Sequence, residues 1–270
     1  MQIMGILNVT PDSFSDGGLF TDLQTALTRA RQMIAEGADI IDIGGESSRP
    51  GAEPVSAEEE AKRVLPIIQG LSLSLRGALA TRQSICISID TTKAVVAAKA
   101  CAAGATIIND ISAGRFDPKM FSIAKEFGAR ICLMHMQGEP HSMQKNPSYE
   151  NVVEEVKEFL RERAAAAMDA GISKDKIVID PGIGFGKRLE DNIALLKNLN
   201  QFKELGFPIL IGTSRKSLIG QLTGAPVANR LAGSLATLAV AAQKGAQLCR
   251  VHDIAATKQF LTLFHALTGV

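Results

Sequence analysis

The chain has no tryptophan and a single tyrosine among its 270 residues. That scarcity removes the aromatic platforms on which proteins commonly stack single-stranded bases. An excess of either charge is missing as well, since 29 basic residues offset 28 acidic ones to a formal net charge of +1. No basic field remains for a phosphate backbone, so nucleic acid is not an expected partner and the ligand is expected to be small. Cysteine is sparse, and Cys86, Cys101, Cys132 and Cys249 show no CxxC spacing. Set mostly within Ile, Leu and Val runs, they read as buried small hydrophobes. Long apolar runs are absent too: Leu231 to Ala242 includes Gly233, Ser234 and Thr237 and is too short to span a bilayer. With no basic n-region ahead of the first apolar stretch, no secretory signal is expected, and a reduced cytoplasmic setting without a membrane follows.

What is present is an alternation. Eight short runs rich in β-branched residues centre on 3–7, 40–43, 85–89, 106–108, 130–134, 177–179, 209–211 and 248–251. Between and after them lie amphipathic, alanine-rich stretches at 23–36, 57–69, 92–103, 119–126, 151–170, 190–205, 229–244 and 254–267. This pattern predicts βαβ units on a parallel sheet, hence the α/β class. A doubly wound open sheet uses the same buried strands, but eight strand–helix pairs in a chain of this size favour a (β/α)8 barrel. No linker or composition shift marks a second domain, so residues 1–270 are expected to form one. The acidic run from Ala57 to Lys62 reads as a solvated helix face.

A barrel places its active site at the carboxyl ends of its strands, and nearly every run here ends in a functional group. Asn8 follows the first, Asp42 and Glu46 the second, Asp90 the third, Asn109 and Asp110 the fourth. His135 follows the fifth, Asp180 the sixth, Ser214, Arg215 and Lys216 the seventh, while Arg250 and His252 straddle the end of the eighth. Any one Asp or Asn there could simply cap the next helix, and Asp90 and Asp110 are both placed to do so. As a set, so many charges leaving apolar strands are better explained by a ligand or by one another, because lone buried charges are costly. Asp90, Asn109 and Asp180 offer acceptors for a heterocycle carrying N–H donors, with Lys216 as the complementary donor. Arg250 and His252, two apart on a strand, point to the same side and suit an anion such as phosphate, although His252 alone could be a core histidine.

Two Gly-rich loops, 8–18 and 44–54, exceed ordinary connections and read as lids hinged at Gly17-Gly18 and Gly44-Gly45. The stretch from Asp180 to Lys187, DPGIGFGK, fails as a Walker loop, because three residues separate Gly182 from Gly186 and Arg188 follows Lys187. It reads as a tight turn giving a flat ligand close approach to the backbone. His135 and His141 beside Met134, Met136 and Met143 suggest a soft-metal site only weakly, and a flexible loop is the preferred reading.

Together these segments resemble dihydropteroate synthase, from about Met4 to Asp253. The matching motifs are MGILNVTPDSFSDGG at 4–18, DIGGESSRPG at 42–51, ISIDTTK at 87–93, IINDI at 107–111, DPGIGFGK at 180–187, SRKS at 214–217 and RVHD at 250–253. The resemblance implies a transferase of folate synthesis and sulfonamide target that joins 6-hydroxymethyl-7,8-dihydropterin diphosphate to 4-aminobenzoate, with diphosphate released. It implies that Asp90, Asn109, Asp180 and Lys216 hold the pterin, and that Asn8, Arg250 and His252 hold the diphosphate. Asn8 and Asp16 would serve a Mg²⁺ site. Phe14, Ser48, Arg49, Pro50, Phe185 and Ser217 would approach the aminobenzoate. Catalysis would rest on Asp90, Asp180, Lys216, Arg250 and His252, in a homodimer.

Three departures from the family's pattern stand out. The chain begins almost at the first strand, without the usual short segment under the barrel, and the connection from Leu71 to Ser84 is long. Ser48 stands where the family commonly has Thr. Two alternatives share the ring site: a methyltransferase module passing a methyl group to a corrinoid partner, and a non-catalytic pterin binder. The anion groups and the first loop favour the synthase. On this division of labour, replacing Arg250 by alanine is expected to leave bare pterin affinity nearly intact.

Overall fold

The computed structural model describes residues 1–9, 19–47, 51–77 and 85–269, with backbone alone at 19–22 and 76–77. Its strands are β1 (Gln2–Asn8), β2 (Ile40–Gly44), β3 (Cys86–Asp90), β4 (Ile107–Asp110), β5 (Arg130–Met134), β6 (Ile177–Asp180), β7 (Leu210–Ile211) and β8 (Leu248–Val251). They pair in parallel in the order 6-5-4-3-2-1-8-7, and a bridge between Ile179 and Ile209 brings β6 to β7. The sheet therefore closes, and the barrel expected from the alternation is the fold.

Period-two alternation along each strand sorts the side chains into two environments. One set, including Met4, Ile40, Ile107, Cys132, Val178, Leu210 and Leu248, forms an apolar floor inside the ring. The opposite set, including Ile41, Ile43, Ile89, Ile108, Ile131 and Ile179, packs outward against the helices in the main core. Each such isoleucine contributes roughly 1.5–3 kcal/mol by leaving water. Two residues beyond the floor, the inward positions turn polar: Asp42, Ser88, Asn109, Asp180 and Arg250. Strand parity thus lifts the charged groups onto one layer above a sealed base.

The helices are α1 (Leu19–Glu36), α2 (Ala57–Gly77), α3 (Ala94–Ala103), α4 (Met120–Glu126), α5 (Val152–Asp169), α6 (Leu189–Lys197), α7 (Ser217–Thr223), α8 (Leu231–Gln243) and α9 (Ile254–Thr268). Three differ from the sequence reading. The helix expected at 57–69 runs on through Gly70, where a Cβ would lie 3.0 Å from both Leu27 δ carbons. A side chain there would make Leu27 of α1 shift by a few tenths of an ångström, and much of the long connection after Leu71 is helix. The stretch at 190–205 divides at Asn198 into α6 and a 3-10 segment, Leu199–Leu205. The helix α7 has too few residues to show a period.

The acidic run also departs from expectation. Glu58 is exposed, but Glu60 is fully buried, one turn before Val64 on the inner stripe of α2. Its carboxylate accepts from Lys93 Nζ at 2.6 Å, and the same ammonium donates to Glu46 at 2.6 Å. Burial opposes the charge on Lys93, but its hydrogen bonds to Glu46 and Glu60, with their charges, outweigh that and raise its pKa. All four cysteines are free; Cys101, Cys132 and Cys249 are buried and Cys86 is partly so.

Candidate active site

Arg250 lies at the centre of the polar layer. Its Nε donates to Asp42 Oδ2 at 2.6 Å and its Nη2 to Asp90 Oδ2 at 2.6 Å, while Asn109 Nδ2 donates to the same Asp42 oxygen at 3.1 Å. Burial disfavours the guanidinium charge, but Asp42, Asp90 and Asp180 outweigh it and hold Arg250 protonated. Burial pushes Asp90 up to about 7 against the pull of Arg250, with Asp42 and Glu60 adding to the rise. Asp42 Oδ1 and Ser88 Oγ are buried polar atoms with no partner among the described residues. Unsatisfied buried polar atoms of this kind are rare, and these two leave the polar layer incompletely paired.

The two candidate caps separate. Asp110 builds a local turn, its carboxylate accepting from the N–H groups of Ser112 and Gly114 and from the Ser112 hydroxyl. Asp90 does not cap; the first turn of α3 is met instead by Asp117, which accepts from Ala94 N–H at 2.9 Å.

Two adjoining cavities open at the mouth. One, of about 70 Å³, is lined by Asn109, Asp180, Phe185, Lys216, Arg250 and His252 among others. The second, of about 270 Å³, is lined by Glu46, Asp90, Thr91, Lys93, Phe116 and His141 among others, and meets the first at Ile111. Asp90 therefore stands at the junction, in contact with the first cavity through Arg250. Asn8 ends β1 opposite Gly44; its Oδ1 and Asp90 Oδ2 lie 3.8 and 3.6 Å from where a Gly44 Cβ would be. An amide oxygen and a carboxylate at one rim are the hard-oxygen chemistry that Mg²⁺ accepts.

The turn after β6 is held from within. Asp180 Oδ1 accepts the Gly182 N–H at 2.7 Å. Burial raises the Asp180 pKa, opposed by that N–H and by the charges of Lys216 and Lys187. Gly182, Gly184 and Gly186 adopt φ of +69°, +82° and +60°. A Cβ on Gly182 would overlap the His135 carbonyl oxygen, and one on Gly186 that of Gln137, so these two glycines let the turn pack on the β5 loop, while Gly182 also lines the smaller cavity. Lys216 Nζ donates to the Ile183 carbonyl and sits 4.0 Å from the Phe185 ring centre. Burial lowers its pKa to about 7.

Arg215, at φ +58°, turns away to form a bidentate pair with Asp253 at 3.0 and 2.5 Å. Arg230 Nη1 donates to the carbonyls of Arg215 and Lys216. The SRKS segment thus offers the cavity Ser214 and Lys216, with Arg215 as a brace. Ser214 Oγ accepts the His252 N–H at 3.2 Å and meets its ring Nδ1 at 3.0 Å, fixing the imidazole beside Arg250. Ser217 is exposed at the start of α7 and lines neither cavity. Phe14, Asp16, Ser48, Arg49 and Pro50, with most of the first loop, lie outside the described residues.

The stretch after β5 is anchored at a few buried points, while His141 and most of 137–151 are exposed or partly so. Met134, Met136 and Met143 form a buried cluster with Ile111, and His135 is buried beside Phe159. Among the described residues, no group of three or more His, Cys, Asp or Glu side chains is placed to hold a metal ion. Asp42 and Ser214 are the residues whose roles escaped the sequence reading. Asp42 carries the inward parity of β2, which was the available signal.

Residues 4–252 match the family model described as pterin binding enzyme. The dihydropteroate synthase of Haemophilus influenzae is 48% identical over 98% of this chain and 93% of its own length. A structure of the Xanthomonas albilineans dihydropteroate synthase with 4-aminobenzoic acid superposes with a TM-score of 0.90 at 46% identity, covering 100% of this chain and 93% of the other. That enzyme in complex with 7,8-dihydropteroate gives a TM-score of 0.87 at 44% identity, covering 100% and 94%. Family match, near full-length identity and a shared barrel agree with the polar layer described above, and the chain belongs to the dihydropteroate synthase family of pterin binding enzymes.

Proposed function

We propose that this chain condenses 6-hydroxymethyl-7,8-dihydropterin diphosphate with 4-aminobenzoate, giving 7,8-dihydropteroate and diphosphate. The observation that carries this reading is a single cavity faced both by ring partners, Asn109, Asp180 and Lys216, and by anion partners, Arg250 and His252. Asp180 accepts N–H donors of the pterin, Asn109 adds an amide, and Lys216 donates to a ring acceptor. Asp90 acts at the junction, through its pair with Arg250.

In the reaction the bond from the pterin methylene carbon to the diphosphate oxygen breaks, and its electron pair leaves with the diphosphate. Arg250 and His252 stabilise that departing charge. The amine lone pair of 4-aminobenzoate then forms the new C–N bond, and its proton goes to solvent. An aromatic amine is neutral and nucleophilic at pH 7, so the protein needs to position it and exclude water rather than supply a base. Asn8 and Asp16 would hold Mg²⁺, which supplies charge neutralisation for phosphate oxygens when bound. Phe185, which lines the cavity, would approach the aminobenzoate; the family resemblance gives the same role to Phe14, Ser48, Arg49, Pro50 and Ser217.

The protein acts as a cytoplasmic homodimer of single-domain subunits. Leu222, Val227 and Leu231, exposed on and between α7 and α8, support the dimer. Among the described residues no helix is long and apolar enough to cross a membrane. Diphosphate release measured with and without 4-aminobenzoate tests the reading. Release that requires the amine supports it; release that ignores the amine overturns it in favour of hydrolysis, and no release overturns it in favour of a methyl carrier or a pterin binder.

A further inference from the structure

Lys187 is 3% exposed and lines neither cavity at the mouth. Its Nζ lies 2.9 Å from His135 Nδ1, 3.3 Å from the His135 carbonyl, 2.9 Å from the Gly182 carbonyl and 3.0 Å from the Phe185 carbonyl. Four acceptors around a group with three N–H donors leave nothing to offer a substrate. We propose that Lys187 is a positioning residue for Asp180 and Phe185, acting through the turn that joins them; this rests on the reading of Asp180 as the pterin acceptor.

The turn from Asp180 to Lys187 folds back so that carbonyls of Gly182 and Phe185 point at one spot, where a third, from His135, arrives from β5. Converging carbonyl dipoles repel unless a cation sits between them. Lys187 is that cation, and its chain position, five residues after Gly182, closes the turn on itself. The same peptide region that gives Lys187 a carbonyl gives Asp180 its N–H: Gly182 N donates to Asp180 Oδ1 at 2.7 Å. Phe185, whose carbonyl Lys187 holds, presents its ring to Lys216 Nζ at 4.0 Å. Asn192 of α6 secures the middle, accepting from Gly184 N–H at 2.6 Å and donating to the Lys187 carbonyl at 3.3 Å.

His135 completes the arrangement as an acceptor. Burial, with the nearby charges of Lys187 and Arg115, pushes its pKa down to about 2 and keeps the ring neutral. The lysine offers only donors, so the ring proton sits on Nε2 and Nδ1 takes a hydrogen bond from Lys187. Phe159, edge-on at 4.9 Å, fixes the imidazole plane. A lysine retained where burial strongly disfavours its charge is costly to the fold. The geometry gives that cost a use, since the carboxylate and the ring that face the substrate are both aimed by what Lys187 holds.

A double-mutant cycle tests this on the full-length protein, with calorimetric affinity for a bare pterin as the reading. Variants are Lys187→Met, Asp180→Asn and the pair. Lys187→Met should lower pterin affinity about tenfold in the parent background, the scale expected from slight misplacement of a binding group. In the Asp180→Asn background the same change should cost less than about twofold, because the group it aims has already been altered. Steady-state kinetics should show KM for the dihydropterin diphosphate rising more than kcat falls. Equal losses in both backgrounds, or unchanged affinity in Lys187→Met, would overturn the proposal and leave Lys187 a purely structural residue. Should Lys187→Met not fold, Lys187→Arg runs the same cycle: its planar fork keeps the charge but cannot meet four convergent acceptors. If Asp180→Asn alone leaves pterin affinity unchanged, the reading of Asp180 fails, independently of how Lys187 behaves.

Discussion

Arg250 Nη2 donates to Asp90 Oδ2 at 2.6 Å, joining a residue assigned to the diphosphate with one assigned to the ring. The two halves of the site are therefore linked through one ion pair. Replacing Arg250 by alanine removes the compensation for two buried carboxylates, Asp42 and Asp90. Asp90, already raised to about 7 by burial, should rise further and become protonated at neutral pH. Bare pterin affinity should then fall by about tenfold, contrary to the expectation drawn from the sequence. Calorimetry on parent and variant checks this, and equal affinities would show that the ring and anion sites are separate.

Asp180→Asn preserves shape but replaces one acceptor oxygen with a donor. A hydrogen bond to a charged group is worth roughly 1.5–3 kcal/mol, so pterin affinity should fall on the order of tenfold or more. Titration with a pterin lacking the diphosphate reads this directly.

Turnover should depend on a divalent cation. Asn8 at the rim carries an amide oxygen suited to Mg²⁺ bridging protein and phosphate. Exhaustive chelation should abolish diphosphate release and added Mg²⁺ restore it. Full activity without any divalent ion would remove the metal from the mechanism.

Lys216 titrates near 7 in the folded protein because burial disfavours its charge, against an ordinary value of 10.5. Between those two values the unfolded chain binds more protons at this residue, so its contribution favours the folded state increasingly as pH rises. The effect is at most about 1.4 kcal/mol per pH unit. Urea unfolding at pH 7 and pH 9 should show the parent gaining stability relative to Lys216→Met. A constant difference between the two proteins would contradict the lowered pKa.

Gly182→Ala places a Cβ on the His135 carbonyl oxygen at a φ of +69°. Backbone strain and overlap together should destabilise the protein by about 2–4 kcal/mol and weaken pterin binding, since Asp180 depends on the Gly182 N–H. Thermal unfolding and pterin titration on the same sample check both effects.

The sequence by itself determined the barrel and most of the site's membership. Alternating apolar runs and amphipathic stretches are local properties of the chain, and period two along a strand carries Asn109, Asp180 and Arg250 to the same inner layer whatever surrounds them. The motifs around them named the family. Tertiary structure alone decided how those groups are paired. Arg250 meets Asp42 and Asp90 across 208 and 160 residues of chain, contacts that exist only once β8 closes onto β1. Glu60 looked solvated because its neighbours are charged, and its burial follows from which stripe of α2 faces Lys93. Lys187 looked like a failed nucleotide motif, and its role follows from the carbonyls that a turn and a neighbouring strand bring to one point. Electrostatic partners are chosen by distance in space, and only the closed barrel sets those distances.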